Sequence, residues 1–216
     1  MFTIWEIDAM PINIIDLLKN EFSDEIIDKL AAFIGLDSSK IRSGLGAIFP
    51  ALIGALVNKG ASSSGAADIL NMIQKGGYGA ATLKGLSSAF SGGDATKDMM
   101  SSGAGLLDGI LGDRASKVID WIAGAGGIGR DSASSLTRLV APAVLGLLGK
   151  EVKNSNLNVS DLMSLLAGQT GFLKGLIPAG LSGILGAEDF SKPEPPAGRE
   201  TPVWKWLVPL LILAGI

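Results

Sequence analysis

The chain has 216 residues, 47% of them hydrophobic, with 30 glycines but only one tyrosine, four tryptophans and seven phenylalanines, so it can build a large aliphatic core punctuated by glycine turns. It contains no cysteine and no histidine, which excludes disulfides, thiolate nucleophiles, and imidazole as a general base or metal ligand. A formal net charge of −3, without a Lys/Arg cluster, argues against nucleic acid as a partner, because phosphate binding needs a concentrated basic surface.

Met1 to Ala9 lacks a basic n-region and carries Glu6 and Asp8, so it is no secretory signal, and the body of the protein is expected to stay in the cytoplasm. Residues 1–11 are read as an N-terminal extension, with Met10-Pro11 a natural alternative start. From Pro11 a helix is expected to place Ile14, Ile15, Leu18 and Phe22 on one face. Ser23 is expected to cap a second helix with Ile26, Ile27, Leu30, Phe33 and Ile34 on its apolar side and Asp24, Glu25, Asp28 and Lys29 opposite. Gly35 ends it and Asp37 caps a third helix, which runs into Ile48-Phe49-Pro50-Ala51-Leu52-Ile53-Gly54-Ala55-Leu56, an uncharged stretch apolar on every side. Pro50 is expected to kink that helix or to begin a new one. A Ser/Gly loop over residues 60–65, a short helix through Ile69, Leu70 and Ile73, and a weaker helix from Leu83 to Phe90 follow.

The pattern then starts again. An ungapped offset of 92 pairs residues 14–58 with 106–150, and ten of those 45 positions are identical, among them Asp16/Asp108, Asp28/Asp120, Gly35/Gly127, Pro50/Pro142 and Gly54/Gly146. Leu83-Lys84-Gly85-Leu86 also recurs as Leu173-Lys174-Gly175-Leu176. Duplication of a helical unit is the expected cause. The reading is an all-α multihelical bundle made of two homologous helical repeats, residues 12–92 and 106–187, joined by a flexible connection over 93–105. The two proline-bearing helices are expected to pack centrally against each other.

After residue 187 the composition changes. Residues 188–202 hold Pro193, Pro195, Pro196 and Pro202 among charges and read as an extended linker. Residues 203–216 then place Trp204, Lys205 and Trp206 before an apolar run, as where a helix enters a bilayer. The run is shorter than the ~20 residues of a full span, so it is read as the start of a transmembrane helix, the alternative being a tail that lies in the membrane interface. Lys192, Arg199 and Lys205 before it place the N-terminal domain inside. The apolar stretches around Pro50 and Pro142, by contrast, are too short to span and read as core.

No catalytic, cofactor-binding or metal-ligating residue is assigned. Gly124-Ala125-Gly126-Gly127-Ile128-Gly129 fits G-x-G-x-x-G, but no strand precedes it and a glycine-rich helix stop is the better reading. The repeated acids Asp16/Asp108 and Asp28/Asp120 read as solvated residues rather than a symmetric carboxylate site, and the serines lack an activating base. Gly105 to Gly109 and Gly171 to Gly175 have G-x-x-x-G spacing outside any apolar span, and so suggest close packing within the bundle.

Ile14-Ile15-Asp16-Leu17-Leu18, the two proline helices, Gly149-Lys150-Glu151-Val152 and the ending Pro178 to Gly186 together resemble the bacterial family called domain of unknown function 937, over roughly residues 12–187. The resemblance implies an all-helical domain without an assigned activity. In many relatives, a proline-rich linker, one transmembrane helix and an OmpA-like peptidoglycan-binding domain follow; no OmpA-like part is present in this sequence. The expected function is a non-enzymatic interaction or scaffold domain of the cell envelope, held at the inner membrane by a single C-terminal pass, with an unidentified protein partner. The alternatives are a soluble cytoplasmic protein that binds an apolar ligand or partner helix and, third, an enzyme using carboxylates.

Overall fold

The computed structural model describes residues 12–186, and among them every regular element is helical. The N-terminal extension, the proline-rich linker and the tryptophan-flanked apolar run lie outside the described residues. Helix α1 (Ile14–Glu21) starts where the Asn13 side chain accepts from the Ile15 and Asp16 N–H groups at 3.1 and 3.3 Å, and it buries Ile14, Ile15 and Leu18 as its spacing predicts. Helix α2 (Asp24–Ile34) buries Ile27, Leu30 and Ala31, and ends on Gly35 in the left-handed region at φ 77°. Two details differ from expectation. Ser23 makes no side-chain cap, and Phe33 stands 41% exposed because α2 turns the Ile27–Leu30–Ala31 stripe inward instead.

Helix α3 (Ser38–Gly60) runs unbroken through Pro50, and its loop to α4 (Ser63–Gly76) shrinks to Ala61-Ser62, with the Ser62 hydroxyl accepting from the Gly65 N–H at 3.1 Å. The weak helix after it divides into α5 (Ala80–Lys84) and α6 (Leu86–Ala89). The flexible connection expected over residues 93–105 is instead the first two-thirds of α7 (Asp94–Leu111). The physical reason lies in small buried contacts that carry little hydropathy: Thr96, Met99 and Gly103 are buried, and the Thr96 hydroxyl donates to the Ala89 carbonyl while accepting from the Gly92 N–H. Gly103 sits where any Cβ would run into the Arg138 carbonyl oxygen. Pro142, four residues on from Arg138, has no N–H to give that oxygen, and the Cα of Gly103 covers it.

A short 3-10 turn (Gly112–Arg114) leads to α8 (Ala115–Gly126), which ends on Gly127 at φ 60°, and then to α9 (Arg130–Asn154). Helices α10 (Val159–Gly168), α11 (Thr170–Leu173) and α12 (Ala179–Leu185) complete the described chain. Thus α9 begins 92 residues after α3, each carries its proline twelve residues after its first residue, and each is preceded by a helix that ends on a left-handed glycine.

Helices α3 and α9 contact each other at the centre of the core, and nearly every residue from Ala47 to Val57 and from Leu139 to Gly149 is buried. Their glycines do something else. A Cβ on Gly54 would lie 2.6 Å from Ile177 Cδ1 and 3.1 Å from Leu185 Cδ1, whereas one on Gly146 would lie 3.0 Å from Thr82 Cβ. The end of the described chain, around Ile177 and Leu185, therefore seats on α3, and α5 seats on α9. Helix α8 likewise packs on α3, and α1 touches both long helices. The two sequence segments interlock rather than stand as separate bodies.

Long-range polar contacts reinforce this weave. Gln169, 1% exposed, accepts from the Ile14 N–H at 3.0 Å and donates to the carbonyls of Ile12 at 2.8 Å and Leu165 at 3.1 Å. Phe22 stacks edge-on against Phe49 at 5.2 Å and tilted against Phe90 at 6.1 Å, joining α1, α3 and the end of α6.

Candidate functional site

The repeated acids do not come together. Asp16 holds Lys19 at 3.1 Å and the Asn13 amide at 2.7 Å on the surface. Asp28 accepts from the Ser38 hydroxyl at 2.6 Å, and Asp120 accepts from the Arg130 guanidinium. Ser38 and Arg130 are the first residues of α3 and α9, so this recurring carboxylate fixes the turn into each long helix. Among the described residues, no group of three or more acids gathers as a metal site would require. Gly124 to Gly129 form the end of α8 and the entry to α9, a helix stop with no strand beside it.

Two open clefts are lined by several polar side chains. One, of about 520 Å³, lies between α7, α8 and α9; it contains Asp108, Asp131 and Arg138, and Arg130 at its edge is engaged with Asp120 and, at 2.8 Å, with Ser116. Its charges are mixed, two acids with two arginines, and one of those arginines, Arg130, is already engaged.

The other cleft, of about 550 Å³, is built by the turn from α4 to α5 against the C-terminal end of α9. Its walls are held in place by a backbone contact: Gly149 meets the Tyr78 carbonyl so closely that no Cβ fits between them. Lys150 and Lys153, one helical turn apart on α9, face this space with Gln74, Tyr78, Asn154 and Asn156, over an apolar floor of Ile73, Val152 and Leu157. Lys150 has Glu21 at 3.7 Å, while no carboxylate of the described residues lies within 4.0 Å of Lys153. Asn156 adopts φ 49°, the one left-handed non-glycine among the described residues. Neither lysine stands out in sequence. The available signal is a contrast, since Lys150 falls where the offset of 92 places Asn58.

Among the described residues, the one shifted carboxylate lies elsewhere. A hydrogen bond and the charge of Lys29, then a hydrogen bond from Ser87, hold exposed Glu25 below the usual carboxylate range and tie α2 to α6.

Residues 16–151 match the family model described as bacterial protein of unknown function, DUF937. No curated protein and no solved structure matches the chain.

Proposed function

The chain belongs to the DUF937 family, and on that premise we propose that it is a non-enzymatic interaction module tethered to the bacterial inner membrane by its C-terminal apolar run, with the helical bundle on the cytoplasmic side. The observation that carries this reading is where the bundle keeps its apolar helices. By length and mean hydropathy, α3 and α9 are both sufficient to cross a membrane, being 23 and 25 residues long rather than only their apolar stretches. In each, 78% of the apolar window is buried inside the fold, which is the behaviour of core helices. Trp204-Lys205-Trp206 and the apolar residues after it are then the segment available to a bilayer, spaced from the bundle by the proline-rich linker.

Duplication of an ancestral helical unit accounts for the recurrence of proline, glycine and aspartate along the two long helices and the turns before them, and the interlocking of the copies makes one body of them. Each acid that recurs with the offset has a local partner or a surface position, which favours binding over catalysis.

Because the chain has no cysteine, topology can be read from one introduced thiol. Ser91→Cys, on an exposed turn, should escape an impermeant maleimide in intact spheroplasts, react after lysis, and then sediment with membranes. Labelling before lysis would overturn the cytoplasmic placement, and recovery in the supernatant would overturn the tether.

A further inference from the structure

We propose that the cleft between the α4–α5 turn and the end of α9 binds a phosphate group carried on a glycerol or apolar arm. Although the chain holds 21 acids and has a net charge of −3, none of the residues lining this cleft is acidic. It presents the ammonium group of Lys153, with no carboxylate of the described residues within 4.0 Å, and that of Lys150, which has the Glu21 carboxylate at 3.7 Å, and their spacing puts both on one face of α9. Gln74, Asn154 and Asn156 add side-chain amides that hydrogen-bond no other described residue. A tetrahedral anion, with several acceptor oxygens and up to two charges, matches two point-charge donors and flanking amides better than a single carboxylate does. Ile73, Val152 and Leu157 beneath these groups suit the arm, and the volume lies within the range of small-ligand sites.

A comparison along the chain strengthens the assignment. At the end of α3 the position corresponding to Lys150 is Asn58, whose amide donates to the Leu185 carbonyl at 2.8 Å while α12 packs on α3. That end is closed by the protein itself. At the end of α9 a lysine replaces the asparagine, α6 packs on α2 and α7, and the space stays open. A donor that meets a carbonyl oxygen in one place thus lines an unfilled cleft in the other, with Glu21 at 3.7 Å.

The proposal rests on the reading of this chain as a binding module but not on its membrane tether, and the two are tested apart. Tyr78, the single tyrosine, lines the cleft and reports on it by NMR. The full chain in an uncharged maltoside detergent is titrated with dihexanoyl-phosphatidylglycerol, glycerol phosphate, inorganic phosphate and hexanoate, all in solution. Saturable shifts at Tyr78 and Asn156 are expected with the phosphate compounds. Tighter binding of the lipid identifies a lipid headgroup as the source, equal or tighter binding of glycerol phosphate identifies a free phosphate compound, and inorganic phosphate binding as tightly as both would overturn the arm. K150Q/K153Q should weaken binding by about tenfold or more at unchanged melting temperature, while K97Q, at a surface pair with Asp94, should leave it unchanged. The absence of a saturable shift, equal binding of hexanoate, or wild-type affinity in K150Q/K153Q would overturn the assignment.

Discussion

The Asn58 side chain donates to the Leu185 carbonyl at 2.8 Å, fastening the end of α3 to the end of α12 across 127 positions of sequence. Arg114, from the turn before α8, donates to the same carbonyl at 2.7 Å. The chain's last described helix is therefore held by a residue from each half, and this junction ties the two segments together.

Each segment produced alone, residues 12–92 or 106–187, should fail to fold. Either would expose the long apolar helix that the other covers, and a chain of about 80 residues is already near the lower limit for a single core. Circular dichroism and heat capacity should show no cooperative transition for either piece. A cooperative melt from one of them would mean that the interlocking is not needed.

Gly54→Leu and Gly146→Leu should both destabilise the bundle, by about 1 to 3 kcal/mol, through overpacking. The leucine at residue 54 would collide with Ile177 and Leu185, and the one at residue 146 with Thr82 and the Gly79 carbonyl. The melting temperature of each variant checks this, and an unchanged value would contradict the seating of α12 on α3 or of α5 on α9.

Gln169→Ala should cost about 1 to 3 kcal/mol, because it leaves the buried Ile14 N–H without its acceptor. Amide hydrogen exchange is the sharper measurement: protection should fall at Ile14, far away in sequence, as well as around residue 169. Loss confined to the neighbourhood of Gln169 would contradict the bridge.

Glu25 should titrate below the ordinary carboxylate range by NMR, and Lys29→Gln should raise it toward that range. Its ionised form is favoured in the folded state, so the stabilisation is fully present above the unfolded-state value and is lost as pH falls through the titration of Glu25 itself. The side chain is exposed and the effect on stability is correspondingly small. Titration at or above the ordinary range would contradict the Lys29–Glu25–Ser87 contact.

Much of the fold is legible in the sequence, because the apolar spacing in α1 and the all-round apolar stretches at Pro50 and Pro142 record burial directly. Residues 93–105 read as a connection for a physical reason: the buried side of the helix they mostly form is made of Thr96, Met99 and Gly103, which signal close approach rather than hydrophobicity. Phe33 misled in the opposite direction, since a phenylalanine at helical spacing looks like core yet stands outside. The recurring Asp28 and Asp120 could be found by their offset, but their roles depend on Ser38 and Arg130, ten residues on in each case. The cationic cleft was not legible. Tyr78 and Lys150 line one cleft only because Gly149 lets two segments distant in sequence touch, and nothing in the local pattern of either residue records that approach.

The tether is tested most directly by fractionating the bacterium that makes this protein, comparing the full chain with a version ending at residue 187. The full chain should remain with the membranes through high salt and alkaline carbonate and leave them only in detergent. The shortened chain should appear in the soluble fraction with an unchanged cooperative melt. A full chain recovered in the soluble fraction, or a shortened chain that still sediments with membranes, would contradict an anchor lying outside the bundle.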